Sequence, residues 1–333
     1  MSPTIAMYDE ALLYDRLQRD LPLHPRPYRK LAGELGLCEH DLLSLLARDL
    51  GAGRISRIGA VFAPNVIGVS TLGALAVEPA QLDRVAACVS TCSAVSHNYA
   101  RRGHRHNLWF VAGARDRYAL DGVLADIAEK TGLTPLDLPM EREYHIDLGF
   151  SLREGRARRP RRAVKAPAPV QPDADDWRLI AELEAGLPLA PQPFHTLALR
   201  SRIPLDRILE RLAQWSESGV IRRLGVVLHH GRFGYRHNAM CVWDVPESRA
   251  DALGLRLARM PGVTLCYRRA RSLPEWPYNL FAMIHARDAQ TMRTTLGHVE
   301  EQVGLAQMRS AVLVGTHCYK QRNTRYALQQ EPS

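Results

Sequence analysis

The sequence predicts an α+β fold built as a tandem repeat, each half pairing a helical unit with a mixed strand and helix unit. Three observations predict it. The first is self-similarity: Leu21-Pro22-Leu23-His24-Pro25-Arg26-Pro27-Tyr28 returns as Leu187-Pro188-Leu189-Ala190-Pro191-Gln192-Pro193-Phe194, and Arg57-Ile58-Gly59-Ala60-Val61 returns as Arg223-Leu224-Gly225-Val226-Val227. The second is that the hydrophobic period switches in the same order in both copies. The third is a basic, proline-rich stretch between them.

In the first half, apolar spacing marks a helix over Tyr8 to Leu17 and two more over Tyr28 to Leu35 and His40 to Leu50. Gly51 and Gly53 stop the third helix, and Arg54 to Phe62 alternates as a strand. Three short helices and a strand make a winged helix-turn-helix pattern over residues 1–62. Strand, helix, strand, strand, helix and strand follow at Ser70 to Val77, Gln81 to Val89, Val95 to Arg101, Asn107 to Ala112, Arg117 to Lys130 and Leu136 to Leu148. Two strands joined through one helix, then a hairpin and another helix, give a ferredoxin-like βαββαβ domain over 63–152.

Residues 153–175 read as a linker. Arg153, Arg156, Arg158, Arg159, Arg161, Arg162 and Lys165 stand against Glu154, and Ala166-Pro167-Ala168-Pro169-Val170-Gln171-Pro172 suits neither a helix interior nor a central strand. The second helix-turn-helix unit, 176–228, has Trp177 to Leu183, Thr196 to Arg202 and Leu205 to Ser216 as helices. The second ferredoxin-like unit, 229–328, has Asn238 to Asp244, Arg249 to Ala258, Val263 to Arg269, Asn279 to His285, Ala289 to Glu301 and Gln307 to Tyr319.

Composition narrows the function classes. The 333 residues are 46% hydrophobic, enough for more than one core, and no run reaches the length of a membrane helix. The basic-then-apolar order of a signal peptide is also missing, so a cytoplasmic protein with no membrane partner is expected. Cys38, Cys88, Cys92, Cys241, Cys266 and Cys318 contain no Cys-x-x-Cys pair and read as reduced structural thiols. The net charge of +9 is largely the linker's, so it says little about DNA. The third helix of each helix-turn-helix unit, Asp41-Leu42-Leu43-Ser44-Leu45-Leu46 and Pro204-Leu205-Asp206-Arg207-Ile208-Leu209, carries leucine and acid with few base-reading side chains.

Chemistry concentrates on the hairpin of each ferredoxin-like unit. His97-Asn98-Tyr99-Ala100-Arg101-Arg102-Gly103-His104-Arg105-His106-Asn107-Leu108-Trp109-Phe110 matches Cys266-Tyr267-Arg268-Arg269-Ala270-Arg271-Ser272-Leu273-Pro274-Glu275-Trp276-Pro277-Tyr278-Asn279-Leu280-Phe281. Guanidinium forks and imidazoles beside aromatics suit a flat ligand that bears carboxylates. Registering Asn107 on Asn279 sets His104 opposite Trp276, His106 opposite Tyr278 and His285 opposite Gly113. His104 and His285 are therefore each private to one half. His145 and His317 are equivalent positions, for which a shared structural role is the cheaper explanation.

The architecture resembles AsnC-like, leucine-responsive regulators. With Ile58-Gly59-Ala60-Val61, His97-Asn98-Tyr99, Asn107-Leu108-Trp109-Phe110, Asn238-Ala239-Met240-Cys241-Val242-Trp243-Asp244-Val245-Pro246, Trp276-Pro277-Tyr278-Asn279-Leu280 and Met283-Ile284-His285 in view, the chain resembles more specifically the siroheme decarboxylases in their fused two-part form used in heme d1 biosynthesis. The resemblance implies a lyase that turns two ring acetates of siroheme into methyl groups, with no cofactor beyond the substrate's own iron tetrapyrrole. It implies siroheme as partner, with related decarboxylase subunits as further partners and no specific DNA. A homo-oligomer or a pseudo-dimer of the two halves is expected. Arg101, Arg102, Arg268, Arg269 and Arg271, with Arg57 and Arg223 at the wings, are expected to hold carboxylates. Trp109, Trp276 and Tyr278 are expected as apolar walls, and His104 and His285 as the catalytic histidines. An alternative role for His104 is axial ligand of the substrate iron. The other function classes kept in view are an AsnC-like DNA-binding regulator and a non-catalytic tetrapyrrole carrier.

Overall fold

A computed structural model describes residues 10–18, 21–146, 167–228 and 237–327. The first repeat begins with α1 (Glu10–Leu17), α2 (Pro27–Glu34) and α3 (Glu39–Gly51), then β1 (Ile55–Phe62). It continues with β2 (Val69–Leu75), α4 (Leu82–Thr91), β3 (Val95–Arg102), β4 (Leu108–Ala114), α5 (Arg117–Thr131) and β5 (Leu136–Ile146). The second repeat runs α6 (Ala174–Ala185), α7 (Pro193–Ser201), α8 (Leu205–Glu217), β6 (Ile221–Leu228), β7 (His237–Trp243), α9 (Glu247–Leu257), β8 (Val263–Arg269), β9 (Leu280–Ala286), α10 (Ala289–Val303) and β10 (Ser310–Gln321). The expected helix start at Tyr8 and most of the expected linker lie outside the described residues.

Helix ends follow their sequence signals. Asp116 caps α5 by accepting from the Ala119 N–H, and Asp288 caps α10 through Thr291 N–H, the same device at equivalent positions. Both helices stop at a glycine in the left-handed region, Gly132 and Gly304.

Contacts group the chain into two units, each drawing on both repeats. One contains the two helical segments. Here β1 and β6 pair antiparallel, with Gly59 opposite Gly225, while Tyr28, Leu42, Leu46 and Ile180, Phe194, Leu212 are buried. The second unit, Gly68–Asp147 with Gly234–Arg325, holds the two βαββαβ segments.

The sequence leads one to expect two separate ferredoxin-like sandwiches, and the second unit differs from that. Its eight strands close into one barrel in the order β10-β3-β4-β2-β5-β8-β9-β7. Within each repeat the strand order is that of a ferredoxin-like sheet. The outer strands of one repeat then pair with those of the other, β3 with β10 and β5 with β8. Closure leaves neither sheet with an exposed row of unpaired backbone groups.

Side chains alternate between the two faces of the barrel wall. Leu108, Phe110 and Ala112 of β4 join Val85, Val89, Leu120 and Ile127 in one helix-covered core, and Leu280, Ala282 and Ile284 of β9 join Leu253, Leu257, Val299 and Val303 in another. Trp109, Phe281, Met240, Val242, Leu138 and Leu313 point the other way and form a third core inside the barrel.

Candidate active site

The β3–β4 and β8–β9 hairpins are fixed by the same device. Asn107 accepts from Val77 N–H at 3.0 Å and donates to Val77 O at 2.8 Å, while Asn279 makes the same pair with Val245 at 3.0 and 3.0 Å. The Asn-Leu-aromatic motif repeated in the sequence is thus a structural pin. It sets the backbone of the residue just before it, His106 in one copy and Tyr278 in the other.

These two hairpins meet at their tips, where Arg105 forms an ion pair with Glu275. Behind the tips lies an aromatic cluster centred on Trp276, which is 0% exposed. Its ring centroid is 4.9 Å from Trp109, 4.9 Å from Tyr278, 5.0 Å from His104 and 6.1 Å from His106. Trp109 Nε1 donates to His106 O at 2.8 Å, whereas Trp276 Nε1 is buried without a partner.

His104 and His106 stack at 5.4 Å, and the backbone N–H of His106 donates to His104 Nδ1 at 3.1 Å. With Nδ1 accepting, neutral His104 carries its proton on Nε2. Acting as an imidazolium acid, or ligating iron through Nε2, requires a proton on Nδ1 and therefore loss of that bond. Burial, then the cations Arg105 and Arg309, lowers the His104 pKa. His106 is 5% exposed, its Nδ1 has no partner, and burial ahead of His104 and Arg105 pushes its pKa down to about 4. Both shifts favour the neutral imidazole.

Gly103 lets the first hairpin approach the barrel wall. Its φ is +112°, and a Cβ there would lie 2.1 Å from Val312 O.

The expected arginines divide into four groups. Arg268 is committed to Glu141 at 3.0 Å and Asp251 at 3.1 Å. Arg271 braces the second hairpin, donating to Pro277 O at 2.7 Å and Val245 O at 2.6 Å and pairing with Asp244 and Glu247. Arg102 is exposed. Arg57 and Arg223 belong to the other unit, where Arg57 donates to Ala60 O at 3.5 Å and Arg223 to Gln18 O at 3.3 Å. Only Arg101 and Arg269 lie on the inward barrel face, beside the third core.

The structure brings His104, Trp109, Trp276 and Tyr278 together but does not bring His285 to them. His285 follows Leu280 by five residues, which is roughly 17 Å of strand from the hairpin end. Its Nδ1 lies 2.8 Å from Thr264 Oγ1. The neighbour of His104 is His106, which the sequence offered only as the residue opposite Tyr278. Its signal was adjacency to the Asn107 pin, legible once that asparagine is known to hold the backbone.

Two family models match the chain, each twice. The siroheme decarboxylase NirDL-like helix-turn-helix domain matches residues 9–55 and 176–222, and the AsnC-like ligand binding domain matches 67–145 and 232–323. The chain is 40% identical to the siroheme decarboxylase NirDL subunit of Paracoccus denitrificans, covering 95% of this chain and 96% of that one. It is 31% identical to a siroheme decarboxylase of Hydrogenobacter thermophilus over 93% and 92%. The NirD subunit of Pseudomonas aeruginosa is 49% identical over 43% of this chain and 95% of its own length. Among solved structures, that of the siroheme decarboxylase NirDL in co-complex with an iron-uroporphyrin III analogue aligns with a TM-score of 0.69 at 28% identity, covering 95% and 94%.

Proposed function

The chain belongs to the siroheme decarboxylase family, a carboxy-lyase family, and on that premise we propose how its hairpins remove carbon dioxide from siroheme. For each of two ring acetates, the bond from methylene to carboxylate breaks and carbon dioxide leaves. The electron pair stays on the methylene carbon, which takes one proton to become methyl. Two rounds give 12,18-didecarboxysiroheme, the heme d1 precursor, and consume two protons.

The proton comes from the His104–His106 pair. An acetate brought against His104, whose ring packs on Trp276 and Tyr278, leaves bulk water, which destabilises the carboxylate and favours release of neutral carbon dioxide. The same acetate, before it leaves, offsets Arg105 and Arg309 and raises the proton affinity of the imidazoles. Protonating His104 costs the turn bond from His106 N–H, about 1 kcal/mol, comparable to one pKa unit. The pair thus takes up a proton chiefly when a carboxylate is present, and Nε2 of His104 is the outlet toward carbon. His106, rather than His285, completes the pair.

No cofactor is assigned beyond the iron tetrapyrrole that the substrate brings. The two repeats serve as each other's partner in the barrel, as a pseudo-dimer within one chain. The helix-turn-helix units act in packing, and specific DNA is not assigned as a ligand.

The observation that carries this reading is the stacked histidine pair set against a wholly buried tryptophan where the two hairpins meet. Anaerobic incubation with siroheme and mass analysis of the pigment tests it. Loss of whole carbon dioxide units is expected. Recovery of unchanged siroheme would indicate a carrier, and operator binding that persists at physiological salt would indicate a regulator.

A further inference from the structure

Burying a guanidinium without a counter-charge is costly, so buried arginines without acids need a reason. Arg101 and Arg269 are both 8% exposed, and among the described residues neither enters an ion pair. They are structural equivalents. Each guanidinium lies over the tyrosine two residues earlier on its own strand, Arg101 over Tyr99 at 5.6 Å and Arg269 over Tyr267 at 5.1 Å. Each donates through Nη1 to a carbonyl at the same station of the barrel, Leu313 O at 3.3 Å and Leu138 O at 2.8 Å. Leu313 pairs with Met240 of β7 and Leu138 with Leu72 of β2.

Their surroundings are polar but not acidic. Arg101 adds Asn238 Oδ1 at 3.2 Å, and the titratable groups acting on it are Tyr99, Cys241 and Tyr267. Arg269 is acted on by Tyr267, so both cations face the same phenol, and Arg269 Nε is buried with no partner. Burial lowers both guanidinium pKa values to about 10, still charged at pH 7.

We propose that Arg101 and Arg269 form a two-point clamp for propionate carboxylates of the tetrapyrrole, the ones that the reaction leaves in place. This rests on the siroheme decarboxylase reading and narrows it. A guanidinium fork on a departing acetate would stabilise the anion whose charge must vanish, and so would raise the barrier. The same fork on a retained propionate contributes equally before and during reaction, which suits an anchor. The placement fits: Phe281 lies with its ring centroid 5.9 Å from the Arg269 guanidinium carbon and 6.2 Å from Trp276. Cation and aromatic cluster therefore flank one phenyl ring. Arg101 and Arg269 stand at the hairpin ends of β3 and β8, so carboxylate arms reach them from that end, while the packed interior leaves no room for the macrocycle.

The test uses the full chain with Arg101→Met and Arg269→Met, titrated by absorbance with two probes. Iron-coproporphyrin III carries propionates and no acetates, and iron-uroporphyrin III carries both. Each variant is expected to bind both probes about tenfold or more weakly, the loss of one charge-assisted contact. The kcat for siroheme should stay within about threefold while KM rises, and Tm should hold or increase because an unpaired buried charge is gone. Parent-like affinity for both probes would overturn the clamp. Weakened binding of iron-uroporphyrin alone would overturn the propionate assignment, since acetates would then be the ligands. A fall in kcat at constant KM would overturn the anchoring role. Failure of the parent chain to change the mass of siroheme would remove the decarboxylase reading by itself, while the two probe titrations would still decide the clamp.

Discussion

The backbone N–H of His106 donates to Nδ1 of His104, so the turn that places the second histidine also fixes the tautomer of the first. A ring so held carries its proton on Nε2 and resists a second one until a ligand offsets the local cations. His104→Ala should keep tetrapyrrole affinity near the parent's while carbon dioxide release falls by about 10² to 10⁴. Single-turnover mass analysis alongside an absorbance titration separates the two effects, and parent-rate conversion would remove His104 from the chemistry.

His106 should make stability depend on pH in a definite window. Its pKa is about 4 in the folded chain against 6.5 for the ordinary group, so below pH 6.5 the unfolded state binds more protons. Stability is fully present above pH 6.5 and is lost as pH falls toward 4, by at most about 3 kcal/mol. Thermal melts between pH 7 and 4.5 should show this slope, and His106→Asn should flatten it. An unchanged slope in the variant would assign the acid sensitivity elsewhere.

His285→Ala gives the opposite expectation from His104→Ala. His285 stands apart from the hairpin end and is held by Thr264, so its loss should leave carbon dioxide release within about threefold of the parent and cost about 1 kcal/mol of stability. Turnover reduced as severely as in His104→Ala would return His285 to the catalytic pair.

Gly103→Ala meets two obstacles at once, a positive φ and the Val312 carbonyl. A loss of about 1 to 3 kcal/mol is expected, together with a weaker grip of the hairpin on the barrel. Denaturant unfolding measures the first and iron-uroporphyrin affinity the second. A neutral substitution would mean that the first hairpin is not seated as described.

Much of this was legible because duplication prints every local signal twice. The Asn107 and Asn279 motifs could be matched without coordinates. The pairing of β3 with β10 and of β5 with β8 could not, because strands that meet across repeats leave no shared spacing in the chain. For the arginines, the sequence shows charge but not its partners. Arg268 and Arg271 look identical to Arg101 and Arg269 until Asp251, Glu141, Asp244 and Glu247 are found beside the first two. The registration that makes His285 private to one half carries no information about distance along a strand.

Barrel closure across the repeats also changes what the covalent link between them is for. Each repeat completes the other's sheet through two strand pairs, so the covalent link between them raises the local concentration of the partner strands. A chain opened anywhere between residues 152 and 167 should persist as a tight pair of polypeptides that copurify and melt together. The fusion then sets stoichiometry: a histidine-bearing hairpin is always delivered with its tryptophan-bearing counterpart, and two identical halves cannot compete for the same edges.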